Sequence, residues 1–224
     1  MMSFSNQDSN LKQADERLGQ TFYANGRYNA LFLGAAGLGF VVIYILTLFR
    51  FLGEPSAQLL YISGAIFFLA IAQFPILNIA RQKRGIVANI LGAISVIIFA
   101  ILLASFWEGI VPVVIFLILV TPITAISAGM PRKYYPHFLF LIIAGSAGVL
   151  YANTNPLDIS RLQTDTPVAI ASIAFMGATG LLLLTATIIA RSRRYRSLRS
   201  QLLTSFIIIV SIPTVMAAVL SGVG

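Results

Sequence analysis

The chain reads as an all-α, multi-pass membrane protein of about seven transmembrane helices, with the N-terminus cytoplasmic and the C-terminus extracytoplasmic. Three observations lead there. Apolar residues fill 58% of 224 positions and charged residues only 10%, against roughly 25% charged residues in a soluble domain. The apolar residues fall in blocks of about twenty, not in stripes of period 3.6 or 2. Lys and Arg gather in alternate gaps between those blocks.

Residues 1–28 are polar and mixed in charge. They lack the basic start and short apolar run of a cleavable signal peptide, so the first helix is expected to be retained. Spans are expected over 29–50, 56–80, 85–107, 109–130, 137–153, 167–190 and 201–222, each near the roughly 20 residues that cross about 30 Å of hydrocarbon. The fifth is the shortest, its edges blurred by Pro136 before it and by Asn153, Asn155 and Pro156 after it. This divides the chain into a polar cytoplasmic segment (1–28), a six-helix bundle (29–190), a basic cytoplasmic linker (191–200) and a seventh helix (201–224).

Orientation follows from the bases, which resist translocation. With the N-terminus inside, the cytoplasmic side holds Lys12, Arg17, Arg27, Arg81, Lys83, Arg84, Arg132, Lys133, Arg191, Arg193, Arg194, Arg196 and Arg199. Only Arg50 and Arg161 fall outside, with Glu54, Glu108, Asp158 and Asp165. Merging or losing one span would invert every later loop and destroy the alternation. The net charge of +8 therefore reads as topology, and no nucleic-acid partner is expected.

Several chemistries are argued against. With no cysteine, the chain offers no disulfide, thiolate metal site or cysteine nucleophile. No Asp, Glu, Lys or Arg lies well inside a predicted span, where pumps and ion-coupled carriers keep ionisable groups. The lysines, Lys12, Lys83 and Lys133, all lie outside spans, so no retinal Schiff base is available. His137, the one histidine, could ligate a haem or pigment, but an interfacial histidine is the simpler reading. No phosphate loop, nucleophile elbow or zinc-binding helix occurs. No catalytic, cofactor-binding or metal residue is assigned, and the chain is expected not to be an enzyme within these residues.

Other features belong to packing. Trp107, Tyr134, Tyr135 and Tyr151 lie near span ends and read as interfacial anchors. The small residues at 34–39, 144–148 and 177–180 let helix backbones approach within the chain, or in a homodimer. Gln73, Asn78, Asn89, Ser95, Thr121, Thr124 and Ser127 are expected to bond between helices. Pro75, Pro122 and Pro213 should each remove a helical hydrogen bond and kink a span.

The densest charge is Arg191-Ser-Arg-Arg-Tyr-Arg-Ser-Leu-Arg199, which runs without Gly or Pro into the last span. Arg191, Arg193, Arg194, Arg196 and Arg199 are expected to contact the lipid surface, each attracting anionic lipid by roughly 1 kcal/mol. The stretch 197–214, with its Leu-Arg-Ser-Gln-Leu-Leu entry and central Pro213, a hinge candidate, resembles the transmembrane helix that precedes the external sensor domain of bacterial signalling proteins such as sensor kinases, chemoreceptors and membrane cyclases. The resemblance covers 197–224 and carries over no catalytic residue.

It implies a sensory or signal-transducing module in the bacterial inner membrane, the N-terminal part of a longer chain. Its partners would be the bilayer, including anionic lipids, and a second copy or other membrane subunits. Two alternatives stand beside it. One is a structural or assembly subunit of a bioenergetic or pigment-containing complex; the other is a small-solute or lipid transporter.

Overall fold

A computed structural model describes residues 4–51, 54–155, 161–163 and 166–175. Their regular structure is helical, without a β-strand among them. The elements are α1 (Phe4–Leu48), α2 (Gln58–Arg81), α3 (Gly85–Phe106), α4 (Val111–Ser127), a 3₁₀ turn (Arg132–Tyr134), α5 (Tyr135–Thr154) and a helical stretch at 167–175. The seventh span and the later part of the sixth lie outside the described residues.

The polar segment is not separate from the bundle. Residues 4–28 form the first half of α1, a single 45-residue helix roughly 65 Å long at 1.5 Å per residue. No proline interrupts it. Leu11, Leu18 and Phe22 recur at helical spacing along the polar half and give it one apolar stripe, through which Leu18 becomes fully buried.

Three helices end in the same way. Arg50 N–H bonds Thr47 O and Phe51 N–H bonds Leu46 O; Lys83 N–H bonds Ala80 O and Arg84 N–H bonds Ile79 O; Gly129 N–H bonds Ile126 O and Met130 N–H bonds Ala125 O. Each is a Schellman cap, whose turning residue must be left-handed. The turning residues have φ of 59° at Arg50, 66° at Lys83 and 99° at Gly129. Only the third uses the residue that adopts this conformation without steric cost.

Short connections make chain neighbours antiparallel. α1 packs mainly on α2, and α3 lies centrally against α1, α2, α4 and α5. α2 and α3 meet through Gln73 Nε2, which donates to Ser95 Oγ at 3.4 Å, and α1 and α2 through Ser63 Oγ, which donates to Gly37 O at 3.0 Å. Three of the polar residues expected to bridge helices bond their own backbone. Asn89 Nδ2 donates to Gly85 O, Thr121 Oγ1 to Leu117 O and Thr124 Oγ1 to Thr121 O.

Four of the small residues admit side chains of the same chain, whereas a Cβ on Gly34 would meet nothing within 4 Å and 177–180 lie outside the described residues. Gly37 admits the Phe67 ring, Gly39 the Phe175 ring, and Gly145 and Gly148 admit Ile97 and Ile101 of α3. Between α3, α4 and α5, beside Pro122, a cavity of 10 Å³ remains, the least that holds one water.

α1 (over Leu11–Leu48), α2, α3 and Arg132–Thr154 are long and apolar enough to cross a membrane. Their outward faces carry large apolar side chains, such as Leu31 (73% exposed), Phe74 (64%) and Phe140 (69%), a surface that water would not tolerate over this extent. The fifth span is not the shortest: α5 has 20 residues and α4 has 17. Pro136 begins α5 instead of blurring it, because the first turn of a helix has no use for that N–H.

Candidate functional site: the two ends of the bundle

At one end the polar half of α1 is locked onto the α2–α3 turn. Asp15 Oδ1 accepts the backbone N–H of Ile86 at 2.7 Å. α3 has no cap from its own preceding residue, so Asp15 satisfies one of its orphan N–H groups and places a negative charge at the positive end of its dipole. Next to it Lys83 Nζ bonds Glu16 Oε1 at 3.1 Å. This pair is exposed and is worth little by itself, but it ties down the left-handed Lys83. Gly19 and Gly85 sit backbone to backbone beneath the pair: a Cβ on Gly19 would lie 2.7 Å from Ala80 O, and one on Gly85 would collide with the Gly19 nitrogen.

Under this junction, Leu18, Ile86, Ala93, Ala125, Met130 and Phe138 form a buried apolar knot, with Tyr134 and Tyr135 packed against it. The knot draws α1, α3, the end of α4 and the start of α5 to one end. The segments that meet at this end carry Lys12, Arg17, Arg27, Arg81, Lys83, Arg84, Arg132 and Lys133, all exposed. Arg27 stacks over Tyr23 at 5.9 Å and Lys133 over Tyr134 at 5.1 Å.

The opposite end is closed by a strap. Leu162 N–H donates to Phe106 O and Glu108 N–H to Leu162 O, both at 3.0 Å, which makes an isolated bridge between Leu162 and Trp107. Arg161 Nη2 donates to Ala152 O at 2.6 Å and anchors the strap to the end of α5. Leu162 and Trp107 belong to the large apolar core that also holds Phe40, Ile43, Val168 and Ala169. Trp107 is 0% exposed. It is therefore not the interfacial anchor its position at a span end suggests, although Tyr151, mostly exposed, fits that role.

Among the described residues, Trp107 Nε1, Arg161 Nε and Ser172 Oγ are buried without a hydrogen-bond partner.

The residues singled out from sequence are only partly placed. Arg191, Arg193, Arg194, Arg196, Arg199 and Pro213 lie outside the described residues. His137 is exposed, with its ring 5.8 Å from that of Tyr134. Among the described residues no group of His, Cys, Asp or Glu could hold a metal ion. Sequence reasoning missed Asp15, Gly19, Gly85 and Leu162. Only the apolar stripe of α1 could have pointed toward the first two.

No family model, curated protein or solved structure matches the chain.

Proposed function

We propose that this chain is a signal-transducing module of a bacterial inner membrane, with the N-terminus and the basic end cytoplasmic and the strap end extracytoplasmic. α1 links the two ends. The observation that carries the reading is the continuity of α1. The same helix contributes Phe40 and Ile43 to the core that holds Trp107 and Leu162, and Leu18 to the knot at the basic end. Phe40 also meets the Phe175 ring edge-on at 6.1 Å.

A rigid helix held at both ends transmits a shift at one to the other, provided the bundle has two arrangements that a signal distinguishes. The strap end, closed by two bridging backbone bonds, is in this reading the place where a signal acts. The Asp15 cap is the place where the movement emerges. The count of seven spans and the continuation of the chain into a sensor belong to the same reading, on the resemblance at 197–224.

Coupling is measured directly by double electron–electron resonance in lipid nanodiscs. Spin labels go on Q20C and Q82C, both exposed, in the cysteine-free chain. Leu162→Pro, which removes the strap's N–H donor at the far end, is expected to change the distance distribution across the junction. A distribution unchanged by this substitution, in protein whose Trp107 emission shows that the strap has opened, contradicts the proposal.

A further inference from the structure

We infer that the basic end of the bundle is a docking surface for the phosphate groups of anionic phospholipids, built from Arg17, Arg84, Arg132 and Lys133. The knot places these four. Arg17 precedes Leu18, Arg84 lies two residues before Ile86, and Arg132 and Lys133 lie between Met130 and Tyr134. Each base is a near neighbour in sequence of a buried member of one cluster. Bases separated along the chain are thereby gathered at one end of a folded core.

Two described acids beside them, Asp15 and Glu16, are engaged by the protein's own groups. Asp15 is turned onto Ile86 N–H and Glu16 onto Lys83, so these two carboxylates face the protein's own groups while the four bases are exposed. Topogenesis alone requires bases on this side but does not require the neighbouring acids to be paired within the protein.

The occupant follows from what borders the bases. Exposed apolar side chains begin within about two turns of three of them: Val87 three residues beyond Arg84, and Leu139 and Phe140 after Arg132 and Lys133. Tyr134 lies under Lys133, the arrangement of an aromatic ring at headgroup level. Positive charge edged by an acyl-chain surface fits a phospholipid with a net negative headgroup better than a soluble acidic partner, which would meet the apolar belt only by leaving water.

The experiment is native mass spectrometry of the full chain in detergent, with phosphatidylglycerol and phosphatidylcholine added in equal amounts. The wild type is expected to retain phosphatidylglycerol in preference, by on the order of fivefold for each base held at the surface. R17Q/R84Q/R132Q/K133Q should reduce the ratio toward one. R17K/R84K/R132K, which keeps the charge, and R50Q, which alters an exposed base at the other end, should both preserve it. Millimolar inorganic phosphate should not displace the lipid. Equal retention of the two lipids by the wild type overturns the inference, as does a preference that survives the four-base change. So does displacement by free phosphate, or loss of a co-purifying acidic protein in the variant with its lipid ratio unchanged. These readouts are independent of whether the bundle transmits a signal.

Discussion

Asp15 caps a helix that begins far along the chain from it: its Oδ1 lies 2.7 Å from the nitrogen of Ile86, 71 positions away in sequence. A cap is usually supplied by the residue just before the helix. Here Arg84 occupies that place and gives no side-chain bond, and α1 supplies the carboxylate instead. Loss of the bond therefore both frays α3 and removes one of its ties to α1.

Asp15→Ala is expected to lower stability by about 1 kcal/mol, the usual worth of an N-cap side chain. Asp15→Asn, which keeps an acceptor oxygen, should lose less. Thermal unfolding of the detergent-solubilised protein, followed by circular dichroism, checks the order wild type, D15N, D15A. Equal stability of D15A and wild type would remove the cap from the account.

Two glycines should respond in opposite directions. At Gly85 a methyl group would strike Gly19 and approach Asp15 O to 2.5 Å, so Gly85→Ala is expected to destabilise by about 1–3 kcal/mol through overpacking. At Gly64, within α2, a methyl group would meet nothing within 4 Å. Gly64→Ala should therefore leave stability unchanged or raise it by up to about 1 kcal/mol, because Ala is the better helix former. The same unfolding assay separates them, and a loss at both positions would mean that α2 packs differently.

Trp107, the chain's one tryptophan, reports on the strap. Buried beneath it, the indole is expected to emit at short wavelength and to resist quenching by iodide. Leu162→Pro removes the N–H that bonds Phe106 O and should shift the emission to the red and admit the quencher. A spectrum unaltered by the substitution would show that the bridge does not cover the indole.

The spanning helices are legible in the sequence because hydrocarbon demands long apolar blocks, and α1, α2, α3 and α5 fall where those blocks lie. Details governed by local chemistry are less so. Pro136 reads as a disturbance and is an acceptable first-turn residue. Residues 4–28 read as a polar tail because composition outweighs the stripe of Leu11, Leu18 and Phe22. The junction and the strap are not legible at all. The Asp15–Ile86 and Trp107–Leu162 relationships join distant positions through backbone groups, and backbone groups leave no signature in residue type. Trp107 illustrates the same limit, since burial at a helix end depends on what packs over it.

Both the transmission of a signal and the lipid surface depend on which end of the bundle faces the cytoplasm. The most direct measurement is labelling of single cysteines in intact cells with a membrane-impermeant maleimide, since the chain has no cysteine of its own. Gln82→Cys, in the exposed turn at the basic end, and Glu54→Cys, between α1 and α2 at the other, suffice. The account predicts that Glu54→Cys labels in intact cells and that Gln82→Cys labels only after permeabilisation. Labelling of position 82 with protection of position 54 would contradict it.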